Sequence, residues 1–371
     1  MRLVRRHYSL GFDAGFRGSR FMRPPPRYLM MLKRLSLVLS VSLAIATFST
    51  HPFQAQQPAG AGALIVLSKG DLTMSVVDPA TLKVVGKVPS GPDPHEIIAS
   101  SDGRMASIAN YNGGGNIITP VDLVAMKALP SIDLGPLRAP HGLDYVADKL
   151  WFTAEAAKVI GSYDPATQKV DWVLGTGQNR THMLYVWPDV SRIVTSNVNS
   201  ASLTIVEKTV GGGRGRGGPQ TDWNATVVAV GRGAEGFDVS PDRKQVWAAN
   251  AQDGTISIVD VESKQVIDTL AANVNGANRL KFTPDGKQVF VSSLGGPEVA
   301  IIDTATRRDV KRLKTGGRGA AGIQMQPDGR RAYVSCTPDD FIAIVDLKTL
   351  EVSGRIEAGR QPDGLAWVTR R

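Results

Sequence analysis

The stretch Ala139-Pro140-His141-Gly142-Leu143 decides the fold, because versions of it return along the chain at nearly constant spacing. Aligned with it are Pro94-His95-Glu96-Ile97, Thr181-His182-Met183-Leu184, Ala234-Glu235-Gly236-Phe237, Ala277-Asn278-Arg279-Leu280, Ala320-Ala321-Gly322-Ile323 and Pro362-Asp363-Gly364-Leu365. The second position of these seven copies reads His95, His141, His182, Glu235, Asn278, Ala321 and Asp363, at intervals of 46, 41, 53, 43, 43 and 42 residues. A period of about 40 residues marks an array of like units, and it overrides the division into two or three domains that length alone would suggest.

The unit is plainest over residues 235–275. Gly236-Phe237-Asp238-Val239 runs into the turn Ser240-Pro241-Asp242, and Gln245 to Asn250, Gly254 to Asp260 and Gln265 to Leu270 follow as three further strands. Four short strands separated by turn residues make one propeller blade. Ser101-Asp102-Gly103, Pro284-Asp285-Gly286 and Pro327-Asp328-Gly329 repeat the first turn, where Asp caps the backbone and Gly supplies a positive φ. Third strands end in Asp122, Asp164, Glu207, Asp260, Asp303 and Asp346, and Asp78 ends one in an incomplete first unit. Residues 64–88 supply three strands without a first, whereas Gly364 to Val368 is a first strand with nothing after it. The expected fold is all-β: a seven-bladed β-propeller of four-stranded antiparallel blades, closed by pairing of N- and C-terminal strands in one blade. Such closure leaves no free sheet edge.

Val246-Trp247-Ala248-Ala249-Asn250, Val289-Phe290-Val291-Ser292-Ser293 and Ala332-Tyr333-Val334-Ser335-Cys336, each behind its Pro-Asp turn, resemble the secreted YVTN-repeat seven-bladed β-propeller family. The resemblance spans residues 64–368 and extends to the propeller domains of nitrous-oxide and dihaem nitrite reductases. It implies the fold and leaves the function open, since one scaffold carries many roles. Ala154-Glu155 departs from the Asn that usually ends the second strand, and the fourth blade carries the insertion Gly211-Gly212-Gly213-Arg214-Gly215-Arg216-Gly217-Gly218-Pro219, expected to be a solvated loop remote from the histidines.

The surplus of positive charge belongs to the N-terminus. Residues 1–55 hold nine Lys or Arg and one acid, which leaves 34 basic against 33 acidic residues and gives a nucleic-acid partner no support. Lys33-Arg34 followed by the apolar run Leu35 to Phe48 reads as a signal peptide over residues 30–55, too short for a membrane span. Residues 1–29 read as an over-extended, unstructured start, 56–62 as a linker and 63–371 as the propeller, placed in the periplasm or secreted. Cys336 is the sole cysteine, so no intrachain disulfide and no covalent c-type haem can form.

All three histidines after the leader, His95, His141 and His182, share one repeat phase, and Glu235 follows them. First strands are innermost in a propeller, so these side chains converge at the mouth of the central channel. Imidazoles and a carboxylate suit Zn, Cu, Fe, Ni or Mn, and the expected site is a divalent metal on His95, His141, His182 and Glu235, with Glu235 either fourth ligand or general base. Arg138, Arg232, Arg318 and Arg360 lie three residues before the aligned position and Arg180 two before it. With Asn278 and Asp363 they are the candidate ligand-binding residues for a small anionic molecule. Second-strand ends Asn110, Tyr111, Glu155, Asn197, Asn199 and Asn250 are candidate orienting groups. The function expected is a metal-dependent lyase, hydrolase or oxidoreductase; the alternative is a non-catalytic propeller that binds a small ligand or an envelope protein.

Overall fold

The computed structural model describes residues 62–111, 114–211 and 220–369, so the expected leader and the tip of the Gly/Arg-rich loop lie outside the described residues. Seven antiparallel sheets, six of them four-stranded, form the seven blades. Blade 1 joins the two chain ends: Pro362–Val368 pairs with Ala63–Ser68, followed by Thr73–Asp78 and Lys83–Pro89. Blades 2 to 7 begin at Pro94, Pro140, Thr181, Ala234, Ala277 and Ile323, in chain order. In blade 2 the outer strand is split into Lys127–Ala128 and Ile132–Asp133, because Pro130 between them has no N–H to give the ladder. Neighbouring blades pack face to face; Trp247 and Ile258 of blade 5 bury against Leu280 and Val289 of blade 6.

The acids that end the third strands are turn caps. Asp78, Asp122, Asp164, Asp260, Asp303 and Asp346 each accept backbone N–H groups from the turn that follows. Blade 4 has Glu207 there instead, and it pairs with Arg192 and Lys264 at 2.9 and 2.8 Å while the strand runs on. Ser202–Gly211 and Gln220–Ala229 pair over their whole length, so the third and fourth strands of this blade form a longer hairpin than those of the others.

Each inner strand except that of blade 7 carries a β-bulge at the aligned position. In blade 3, Pro140 faces Ala154 and Leu143 faces Phe152, so His141 and Gly142 together oppose Thr153. The same two-against-one step holds His182 in blade 4, Glu235 in blade 5 and Asn278 in blade 6. A bulge turns a side chain away from the sheet face, and here it turns one residue per blade toward the channel. The blades are also stitched there: Thr153 Oγ1 donates to the His182 carbonyl at 2.6 Å, Ser196 Oγ to that of Glu235 at 2.9 Å, and Ser335 Oγ to that of Asp363 at 2.7 Å.

Candidate functional site

Six of the seven aligned residues, His95, His141, Glu235, Asn278, Ala321 and Asp363, line one cavity of about 200 Å³ at the channel mouth. The seventh, His182, is buried behind His141, with ring centroids 3.8 Å apart. A second ring comes from the residue after each second strand: Lys69, Tyr111, Leu294 and Thr337 line the cavity, and Glu155 at the same station reaches His182. Tyr111 donates its hydroxyl to Glu155 Oε2 at 2.7 Å and packs its ring against those of His95 and His141.

The groups whose ligand atoms converge are His141, Glu155 and His182, within 4.8 Å of one another and all buried. This differs from the expected set of His95, His141, His182 and Glu235. His95 is turned to Asp93, its Nε2 3.1 Å from Oδ1, with Asp363 3.7 Å from Nδ1. Glu235 Oε1 stands 3.4 Å from His182 Nε2 and from an Arg180 nitrogen. Glu155 is the carboxylate of the convergent group, and its Oε1 meets His182 Nδ1 directly.

Burial holds the His141 pKa well below the ordinary imidazole value, so that ring is neutral. Burial also acts to lower His182, but the carboxylates of Glu155 and Glu235 outweigh it and raise its pKa. The same contacts overcome burial on Glu235, where His182 and then Arg180 bring the carboxyl down to about 2. Tyr111 is pushed up to about 12 by burial and by Glu155, and stays a donor. His95 is lowered, chiefly by burial. Across the mouth Arg279, 6 % exposed, pairs with Glu96, both occupying the station after the aligned residue.

The expected arginine ring divides. Arg180 lines the cavity, whereas Arg232, Arg318 and Arg360 are 73, 75 and 68 % exposed and bound to Asp253, Asp339 and Asp71 through both Nε and the backbone N–H. Arg138 donates from Nε to the Gly114 carbonyl at 2.8 Å. Asn197 and Asn250 are latches that bond within their own blades, and Asn110 accepts from Thr119 of its own blade while donating to the Ser90 and Pro92 carbonyls before it. Cys336 is buried in the core of blade 7.

Residues 216–325 match the YNCE-like beta-propeller family, under a third of the chain. No curated protein matches. A protein of unknown function from Desulfotomaculum acetoxidans superposes with a TM-score of 0.68 at 13 % identity, covering 84 % of this chain and 100 % of its own. A putative 6-phosphogluconolactonase from Bacteroides fragilis gives 0.67 at 16 % identity, with 84 % of this chain and 100 % of that one covered. The dihydro-heme d1 dehydrogenase NirN gives 0.59 at 16 %, covering 86 % of this chain and 78 % of that one. At such identities the likeness carries the fold alone. The chain is a seven-bladed β-propeller that resembles the YNCE-like beta-propeller family over residues 216–325.

Proposed function

We propose that the protein is a metal-dependent enzyme, periplasmic or secreted, in which His141, His182 and Glu155 hold a divalent cation and present it to a small anionic substrate. One observation carries this reading. The buried His141 Nδ1 and His182 Nε2 make no well-formed hydrogen bond, the latter having only Glu235 Oε1 at 3.4 Å, and they stand beside the Glu155 carboxylate. Of five such atoms among the described residues, three belong to His141, His182 and Asn278 at this one mouth, and partnerless buried groups are rare enough to require a reason. The leader supports export, and no helix among the described residues is long and apolar enough to cross a membrane.

Charge sets the order of binding. Asp93, Glu96, Glu155, Glu235 and Asp363 supply five carboxylates around the mouth against three permanent cations, Lys69, Arg180 and Arg279, each already paired. With the imidazoles neutral, as ligation requires, the mouth is two positive charges short, which a divalent cation that displaces the His182 proton makes up. An anion is repelled before the metal binds and attracted only afterwards.

A bound cation would polarise a substrate oxygen or acidify a water. His95 is the chain's own proton acceptor: it lines the cavity, is neutral, and is oriented by Asp93. Glu235, at about 2, is too weak a base near neutral pH and instead balances the charge of His182 and Arg180. The test is metal analysis of untagged protein, followed by calorimetry with Zn²⁺ and then succinate. Stoichiometric metal is expected, with succinate binding only to the loaded protein. A chain that takes up no Zn²⁺ or Mn²⁺ would leave a ligand-binding propeller in place of the enzyme.

A further inference from the structure

The wall of the cavity away from His141 is built from Lys69, Asn278, Arg279, Ala321, Thr337 and Asp363. Most of its polar groups are spoken for. Lys69 Nζ pairs with Asp363 Oδ2 at 3.3 Å, the Thr337 hydroxyl donates to the Pro362 carbonyl at 2.6 Å, and Arg279 is taken by Glu96 and, at 3.0 Å, by the Asn278 carbonyl. Asn278 differs: its side chain is on the bulge of blade 6, is 7 % exposed, and its Oδ1 is buried with no donor. An amide that no protein group fixes can rotate to offer either its N–H₂ or its oxygen.

From this, and resting on the metal reading above, we propose that the substrate is bifunctional: a small acid whose anionic group goes to the metal and whose uncharged oxygen, a hydroxyl or an oxo group, is received by Asn278. A neutral amide beside Asp363 and a paired Arg279 selects for neither charge. A hydroxyl can accept from the amide or donate to it, and an oxo group accepts, so either completes the pairing. The cavity, about 200 Å³, is below the size that holds drug-like ligands and fits a molecule of a few carbons. A site built to hydrogen-bond a substrate group discriminates against the analogue that lacks it.

Malate and succinate differ by one hydroxyl and serve as probes. On zinc-loaded protein, calorimetry should show malate bound about 10-fold more tightly than succinate, the worth of one completed buried hydrogen bond. Asn278→Ala should erase that preference while zinc and succinate affinities stay within about 2-fold. The variant is suited to the fold because blade 7 has Ala321 at the same station; Asn278→Ser, which restores a hydroxyl, should recover part of the preference. A wild type indifferent to the hydroxyl, or a preference that survives in Asn278→Ala, overturns the inference. Failure to bind zinc would sink the metal reading and, with it, the inference that rests on it, whereas zinc bound without a malate preference overturns the inference alone.

Discussion

Blades 3 and 5 carry one inner-strand motif, His141-Gly142-Leu143 and Glu235-Gly236-Phe237, on the same bulge. In both, the glycine is dictated by the neighbour: a Cβ on Gly142 would lie 2.5 Å from the His182 carbonyl oxygen, and one on Gly236 would lie 2.5 Å from that of Asn278. They part at the end of the second strand. Blade 5 has Asn250, whose Nδ2 donates to Thr255 and Ser257 at 2.9 Å each, and then Ala251. Blade 3 has Ala154 where the latch would be, and then Glu155, which reaches out of its blade to His182 and Tyr111. The scaffold thus repeats, and the candidate site departs from it where one blade gives up an internal latch and turns a carboxylate to the neighbouring blades on either side.

The sharpest way to break that comparison is to remove the carboxylate from each blade in turn. Glu155→Gln keeps the shape but should lower zinc affinity by about 100-fold or more, since losing even an outer partner of a ligand costs about 10–100-fold. Glu235→Gln should cost less than about 10-fold, because Glu235 only approaches His182 at 3.4 Å. Calorimetry on the two variants decides it. Losses in the reverse order would return Glu235 to the ligand set and remove Glu155 from it.

A second pair sits one turn deeper. Asp144 of blade 3 accepts the Val186 N–H of blade 4 at 2.8 Å, and Asp238 of blade 5 accepts the Phe282 N–H of blade 6 at 3.0 Å. Asp238 also has Lys281 at 3.4 Å. Burial raises the Asp144 pKa to about 6, above the ordinary carboxyl value near 4. The folded protein therefore holds this proton more tightly than the unfolded chain, and stability falls as pH rises through about 4 to 6. Asp144→Asn retains an acceptor and should stabilise by about 2 kcal/mol at pH 7.5, with no gain below pH 4. Asp238→Asn, which loses its lysine partner, should give no such gain. Denaturant melts at the two pH values measure this, and an equal response from both variants would mean that burial is not what separates the blades.

The fold was legible because its signals are local and repeated. The turn acids, the Pro-Asp turns and the alternating strands each lie within a few residues, and the period of the array compounds them. The convergence of His95, His141 and His182 was legible from the same period. Glu155 was legible as a second-strand end beside Tyr111, but its convergence with His141 and His182 was not, since that depends on the register between a bulged strand and its neighbour, where Ala154 pairs with Pro140. Arg279 and Glu96 escaped for a related reason. They occupy the station where blades 1, 3, 5 and 7 have glycine, and the two side chains meet as an ion pair at the mouth. The arginine ring was read as a site because its counter-charges lie elsewhere in the sequence, although the signal was present: Asp253 and Asp339 each follow their arginine by 21 residues.

That clasp supplies the smallest expected effect. The Arg232 guanidinium meets Asp253 through Nε at 2.7 Å, while its backbone N–H holds the other carboxylate oxygen at 2.7 Å and would survive the loss of the side chain. Arg232 is 73 % exposed, so its field is screened by solvent and already cancelled by Asp253. Arg232→Ala should therefore move the melting temperature by no more than about 2 °C. It should leave succinate affinity of the zinc-loaded protein within about 2-fold, unchanged between 0.05 and about 0.5 M salt relative to wild type. An anion that reached the mouth by way of the rim would instead bind more weakly to Arg232→Ala at low salt and equally at high salt. In that case the arginines of blades 5, 7 and 1 would form an outer collar of the site, and the mouth would draw its ligand by attraction at a distance as well as by the metal.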